Sequence, residues 1–288
     1  MNSLATVSLI DWDVAACGNK AAQLNRLRQH GYEVPRGVVV TAHGYELFVA
    51  RNGLDQIVQE FIGEAANAPA SRLVAIATRI KEAFLAAPMP VEIERPIRDW
   101  IENSRATLFA VRSSASNEDL GEASFAGQYD SFLNVESDSV GPYIARCFAS
   151  LFNPCASLYR RRKGLTSLGT MAVIIQEMAP SDYAGVVFTR APRRRDQLLI
   201  ECAPGLADRV VSGSVSPNRY FINRQTLEVI EASEPHARDC ANVAEVAALA
   251  LALESDFQIP LDIEFGVKGG KIHILQARPI SSAISSLS

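Results

Sequence analysis

Residues 261–280 read LDIEFGVKGGKIHILQARPI, and this stretch decides the fold of the second half of the chain. Two runs rich in Ile, Val, Leu and Phe flank the tetrapeptide Lys268-Gly269-Gly270-Lys271. A Gly-Gly pair between two apolar runs is typical of a β-hairpin turn. We therefore predict two antiparallel strands joined by a tight turn.

Three polar residues, Glu264, Gln276 and Arg278, interrupt the apolar pattern of this hairpin. A carboxylate and an amide oxygen are hard ligands that suit Mg²⁺, and a guanidinium fork suits phosphate. Gln276 and Arg278 lie two residues apart on one strand, so their side chains share a face. The alternative is a salt-bridged, solvated edge hairpin that binds nothing.

The length of the turn decides whether Glu264 and Gln276 can hold one metal ion together. With a two-residue turn, Gly269-Gly270, Glu264 would face Leu275, and the Gln276 side chain would point to the other side. Shared ligation therefore predicts either a three-residue loop, Gly269 to Lys271, or a β-bulge that restores the register.

Length and composition exclude several classes of protein. The chain has 288 residues, 48% of them hydrophobic, which is enough for two lobes around a substantial core. No apolar run reaches the about 18 residues that a membrane span needs, and the start lacks the features of a secretory signal. The net charge of −4 indicates no general nucleic-acid binding. We expect neither nucleic acid nor membrane as a partner.

The cysteines and the basic clusters have simple interpretations. Five cysteines without a Cys-x-x-Cys pair indicate reduced thiols in a cytoplasmic protein, not a disulfide or zinc framework. Two basic clusters, Arg160 to Lys163 and Arg193 to Arg195, are interpreted as a solvated helix end and a loop.

Hydrophobic periodicity predicts an α+β protein with a mixed first half and a sheet-rich second half. Helices are expected after Gly18 up to a stop at Gly31, from a Thr41 cap towards Gly53, across 54–104 with breaks at its prolines, over 141–163 with a break at Pro154, and over 242–257. Strands are expected at 38–40, 107–113, 129–135, 171–176, 184–189, 197–201 and 220–230. We divide the chain into residues 1–175, with a helical insertion and a phosphate lid, and residues 176–288, with the hairpin and a short tail.

Several polar residues of the first half could bind a nucleotide. Lys20 begins a helix, where free N–H groups and the dipole favour phosphate; the alternative is a solvated lysine. Arg112 ends a buried strand before the polar loop Ser114 to Gly127, and the alternative is a pair with Glu118 or Asp119. Gln176 ends an apolar strand, where an amide could recognise an adenine edge or simply terminate the strand.

Together these pieces resemble a known family. The matching motifs are GNK at 18–20, VPRGVVVT at 34–41, VRSSASNEDL at 111–120, EASFAGQYDSFLNV at 122–135, the stretch 213–220, DIE at 262–264 and ILQARPI at 274–280. The chain is similar to the ATP-grasp nucleotide-binding domain of the phosphoenolpyruvate synthase, pyruvate phosphate dikinase and rifampicin phosphotransferase family. The resemblance covers nearly the whole chain, and the block 112–135 is highly specific.

The resemblance implies a two-lobed ATP-grasp fold with ATP held between the lobes, and it implies a role for each matched residue. Lys20 and Arg112 would hold the phosphates, and Gly127 and Ser131 would line the loop over the triphosphate. Gln176 would lie beside the adenine, Glu264 and Gln276 would bind Mg²⁺, and Arg278 would contact the transferred phosphate. Lys20, Arg112 and Arg278 would be catalytic.

The chain also departs from the family pattern. The usual Gly-Gly-Lys-Gly is here Gly18-Asn19-Lys20-Ala21, and the usual Gly-Leu-Gly-Glu is Gly205-Leu206-Ala207-Asp208. The family's relay histidine has no match among His30, His43, His236 and His273, and the sequence stops where the relay linker would begin. We therefore expect an ATP- and Mg²⁺-dependent phosphotransferase that donates to a histidine on a partner domain. The alternatives are direct phosphorylation of a small molecule and ATP binding without turnover.

Overall fold

The computed structural model describes residues 6–8, 14–116, 129–162, 168–233 and 243–280. Its described helices are α1 Val14–Gln29, α2 Ala42–Arg51, α3 Asp55–Ala65, α4 Ala70–Ala86, α5 Val91–Glu102, α6 Val140–Ser150, α7 Pro154–Arg162, α8 Asp208–Val211 and α9 Val243–Phe257. Its described strands are β1 Thr6–Ser8, β2 Gly37–Val40, β3 Leu108–Ala115, β4 Ser131–Glu136, β5 Met171–Glu177, β6 Tyr183–Phe188, β7 Gln197–Pro204, β8 Asn218–Asn223, β9 Val229–Ala232, β10 Leu261–Lys268 and β11 Lys271–Pro279. The α+β class is confirmed.

The chain divides into two compact units. Unit 1 comprises Met1–Asn25 and Arg36–Met178, and unit 2 comprises Arg26–Pro35 and Ala179–Ser288. The end of helix α1 and the turn after it therefore belong to unit 2, although they lie early in the sequence.

Unit 1 contains a five-stranded antiparallel sheet in the order β1-β2-β5-β3-β4. Alternate residues of its strands, such as Val111 and Ile175, face a core formed with helices α2 to α7. Phe48 illustrates the packing, since its ring centroid lies 5.4 Å from the rings of both Phe84 and Phe148. Burying such side chains removes apolar surface from water and stabilises the unit by about 1.5–3 kcal/mol each.

The helix boundaries of unit 1 follow local chemistry. The predicted Thr41 cap is confirmed, because the hydroxyl of Thr41 accepts a hydrogen bond from Gly44 N at 3.2 Å. Pro69 and Pro90 precede α4 and α5, and Pro154 begins α7, as expected of a residue that lacks an N–H donor. Pro96 lies inside α5, so the break predicted there was wrong.

We had expected a solvated helix end at the basic cluster of α7, and this was wrong for Arg160 and Arg161, whereas Arg162 is exposed. Arg160 is only 4% exposed. Arg161 donates from Nε and Nη2 to Ala65 O, at 3.1 and 2.7 Å. Ala65 ends α3, where helix carbonyls lack partners and the dipole favours a cation, so Arg161 caps that helix.

Unit 2 contains a six-stranded antiparallel sheet in the order β11-β10-β6-β7-β8-β9. The segment 26–35 is attached to the rest of unit 2 by two hydrogen bonds. The hydroxyl of Tyr32 donates to Asp256 Oδ2 on α9 at 2.6 Å, and Ile274 N on β11 donates to Glu33 O at 2.8 Å. The single strand predicted over 220–230 was wrong. The Asn223 side chain accepts from Gln225 N and Thr226 N and turns the chain between β8 and β9.

The prediction of reduced thiols throughout is corrected at one position. Cys17, Cys147 and Cys155 are free, but Cys202 is disulfide-bonded. Sequence spacing excludes a local Cys-x-x-Cys pair, and it does not exclude a bond between distant cysteines.

Within the described part of the chain, no helix is long and apolar enough to cross a membrane.

Candidate nucleotide and metal site

The Gly18-Asn19-Lys20 motif lies against the end of strand β3. Gly18 has φ 74°, and a Cβ built on it would lie 2.2 Å from Ser114 O. Only glycine fits this close approach without strain. The hydroxyl of Ser114 accepts from Ala21 N at 3.1 Å and donates to Cys17 O at 2.7 Å. Helix α1 is kinked at Gly18, and the glycine lets this kink dock on strand β3.

Lys20 is nearly buried and oriented by the same strand. Lys20 is 8% exposed, and its Nζ donates to Ser113 O at 2.9 Å. An ammonium group has three N–H donors. A solvated lysine, the alternative considered above, does not describe this residue. The contact places a fixed positive charge at the end of β3, immediately after Arg112.

Arg112, Ser131 and Gln176 lie on one face of the five-stranded sheet. In the ladder, Arg112 is opposite both Ser131 and Ile174, and Ala110 is opposite Gln176. Directly paired residues point to the same side, and residues two apart on a strand do so as well. Arg112 is 9% exposed and Gln176 is 2% exposed. The face opposite the helical core thus presents a cation, a hydroxyl and an amide that we had assigned to the nucleotide.

Gly127 lies outside the described residues, as does most of the proposed phosphate lid, Ser114 to Gly127. Their assignment to the triphosphate stays a prediction. The short tail after Ile280 also lies outside the described residues.

The hairpin of unit 2 has the register that shared metal ligation requires. Lys268 pairs with Lys271, so the turn is Gly269-Gly270, with φ values of 56° and 80° that suit glycine. The register then shifts between Glu264 and Phe265, and Glu264 lies opposite Gln276. A bulge at Leu275 accounts for the shift. The three-residue loop was wrong, and the bulge, the other form of the prediction, is confirmed.

Glu264 and Gln276 fit a magnesium ion by their chemistry. They are directly opposite each other on neighbouring strands, where Cβ atoms lie about 5 Å apart. They supply the hard oxygen donors that Mg²⁺ prefers, and this ion normally keeps several water or phosphate ligands. Among the residues that the structure describes, no three His, Cys, Asp or Glu side chains gather to hold a metal by themselves. Water or phosphate oxygens would complete the shell of an ion held by these two side chains.

Arg278 is held by a residue to which the sequence had assigned no role. Its Nε donates to Asp262 Oδ2 at 2.9 Å, and its Nη2 lies 2.8 Å from the same oxygen in an ion pair. Asp262 is 4% exposed, and burial raises the pKa of its carboxyl, while Arg278 acts in the opposite direction. Glu264 also raises this pKa, less than burial does. The sequence contained a signal for Asp262, because this residue lies two positions before Glu264 and its side chain therefore points to the same face of the hairpin.

The fold and these two sets of residues have the composition expected of an α+β nucleotide-binding domain. Comparison with known proteins agrees, since residues 14–241 match the model of the pyruvate phosphate dikinase, AMP/ATP-binding domain family. That match covers most of the chain, and the chain belongs to this family.

Named relatives are similar over most of this chain. A probable phosphoenolpyruvate synthase of Methanocaldococcus jannaschii is 33% identical across 94% of the chain and 26% of its own length. A rifampicin phosphotransferase of Bacillus cereus is 30% identical across 92% of the chain and 33% of its own length. A phosphoenolpyruvate synthase of Neisseria meningitidis is 30% identical across 93% of the chain and 40% of its own length. The chain thus spans less than half the length of these relatives.

Proposed function

We propose that this chain is the ATP- and Mg²⁺-dependent phosphotransferase domain of a phosphoenolpyruvate-synthase-like system. Lys20, Arg112 and Ser131 bind the phosphates and Gln176 the adenine. Glu264 and Gln276 bind Mg²⁺, and Arg278 contacts the transferred phosphate. The observation that carries the proposal is the bulged register of the hairpin, which aligns Glu264 with Gln276 on the face that holds Arg278.

Catalysis by this set is positioning and charge neutralisation. Phosphoryl transfer spreads negative charge over the oxygens of the transferred group, and fixed cations lower its energy. Arg112 and Arg278 can each offer two parallel N–H donors to a phosphate, and Asp262 keeps the Arg278 side chain in place. Bound Mg²⁺ would supply further neutralisation of phosphate charge.

We further propose that the acceptor is a histidine on a separate domain or partner protein. The similarity to phosphoenolpyruvate synthases supports this route. Direct transfer to a small molecule is the second candidate, and the similarity to rifampicin phosphotransferases supports it. Both need an acceptor that reaches the terminal phosphate in line, because bulk water is not positioned for attack.

The first prediction is that the chain binds Mg-ATP and consumes it slowly until an acceptor is added. Phosphorus NMR of the purified protein with Mg-ATP, before and after addition of candidate acceptors, measures both rates and the products. AMP with phosphate would indicate the dikinase route through a partner, and ADP would indicate direct γ-phosphate transfer. Rapid turnover without acceptor would contradict the proposal, and binding without turnover under any condition would favour a non-catalytic nucleotide-binding protein.

The second prediction concerns Gly18. We expect Gly18→Ala to weaken Mg-ATP binding about tenfold, or ~1.4 kcal/mol, because the new Cβ would displace the kink of α1 from Ser114. Gly31→Ala is the matched control, since Gly31 also has positive φ, at 83°, but its added Cβ would meet nothing within 4 Å. Both variants should lose stability through backbone strain. Calorimetric titration that finds equal ATP affinity in the two variants would refute the role of the close approach.

A further inference from the structure

Arg160 is a buried cation that the proposed chemistry does not use. Its guanidinium donates to Tyr129 Oη at 3.0 Å, to Ser157 Oγ at 2.9 Å and to Leu151 O at 3.2 Å. These partners are neutral, and within the described residues the group contacts no carboxylate. Burial lowers the pKa of Arg160. Burying a charge without a counter-charge is costly, so a purely packing role would be served better by an apolar residue.

The partner Tyr129 leads directly to the phosphate side of unit 1. Tyr129 is 7% exposed and precedes Asp130, whose carbonyl accepts from Ser113 N at 3.2 Å. The carbonyl of Ser113 in turn accepts from Lys20 Nζ at 2.9 Å. The next residue, Ser131, lies opposite Arg112 in the ladder. One run of contacts thus joins Arg160 to the start of β4 and the end of β3.

We propose that Arg160 is a positioning residue for the phosphate-binding end of unit 1. By holding Tyr129, it fixes the start of β4 against Arg112 and Ser113, and through Ser113 it fixes the ammonium group of Lys20. Gln176 lies opposite Gly37 on β2 and opposite Ala110 on β3, three residues along the strand from Ser113, so its position depends less on Tyr129 than that of Lys20 does. Loss of Arg160 therefore weakens recognition of the triphosphate more than recognition of the adenosine part. This inference rests on the proposed function.

The test compares binding of Mg-ATP and of AMP by calorimetry. Arg160→Met keeps an unbranched apolar stem and removes the charge, and Tyr129→Phe removes one hydroxyl alone. We expect Arg160→Met to weaken ATP binding about tenfold, or one decade in Kd, because the phosphate-binding side chains would be misplaced, with AMP binding unchanged. Tyr129→Phe should shift the ratio of the two affinities in the same direction by a smaller factor, and it decides the question if Arg160→Met does not fold.

Arg161→Met is the matched control, since Arg161 is the next residue and caps α3 without contacting Tyr129 in its described hydrogen bonds. It should lower the melting temperature and leave the ATP-to-AMP affinity ratio at the wild-type value. If Tyr129→Phe and Arg160→Met fold and keep the wild-type ratio of ATP affinity to AMP affinity, the positioning role of Arg160 is overturned and the proposed function is not affected. A wild-type chain that binds neither nucleotide would overturn the proposed function, and this inference with it.

Discussion

Arg112→Ala is expected to slow phosphoryl transfer about a hundredfold, because it removes a charged donor worth on the order of 3 kcal/mol to the transition state. Arg112 lies near the end of β3, is 9% exposed, and shares its sheet face with Ser131 and Gln176. The fold should survive, since β3 is held by backbone hydrogen bonds to both β4 and β5. The measurement is the rate of ATP consumption with the acceptor that supports wild-type turnover.

Arg146→Ala provides the control for Arg112→Ala. Arg146 belongs to α6 in the same unit, and its guanidinium carbon lies 5.4 Å from the ring centroid of Phe132 on β4. The substitution removes the same charge beside the neighbouring strand β4, on the side of the sheet that packs against the helices. We expect near wild-type turnover in this variant. Equal rates for the two variants would show that Arg112 does not contact the reacting phosphate.

The elements whose residues carry local signals could be predicted from the sequence. The Gly269-Gly270 turn between apolar runs specified the hairpin, and Thr41 specified the start of α2. Gly31 marked the end of α1, where Tyr32 N donates to Leu27 O at 3.1 Å, as in a C-terminal helix cap. In each case the chemistry that sets the boundary lies within a few residues of it.

Features that depend on distant contacts could not be predicted in the same way. The Arg160 to Lys163 run looks like a solvated helix end, and only the packing of Tyr129 and Leu151 shows that Arg160 is buried. Shared ligation by Glu264 and Gln276 required either a three-residue loop or a β-bulge, and the sequence could not choose between these two forms. The structure has the bulge, at Leu275. The hydrogen bond from Lys20 Nζ to Ser113 O joins residues that are 93 apart in the sequence.

Glu264→Gln is expected to lower the affinity for Mg²⁺ on the order of a hundredfold, since even residues that only support metal ligands contribute up to this amount. The substitution keeps an oxygen donor and the length of the side chain, so the loss reports the missing charge. Turnover should fall with it at limiting Mg²⁺ and recover in part at high Mg²⁺. The measurement is ATP consumption with acceptor as a function of Mg²⁺ concentration, with Mg-free nucleotide binding followed in parallel.

Glu33→Gln is the matched control, because Glu33 lies in the same unit beside the turn end of the same hairpin and pairs with Lys271 at 2.9 Å. That pair is exposed on both sides, and such pairs contribute little to stability. Its loss should leave the Mg²⁺ dependence unchanged.

Gln276→Ala should instead resemble Glu264→Gln, because the bulge at Leu275 brings both side chains to one face. A Gln276→Ala variant with wild-type Mg²⁺ dependence beside a defective Glu264→Gln would break the pair, and the ion would then be held by Glu264 without Gln276.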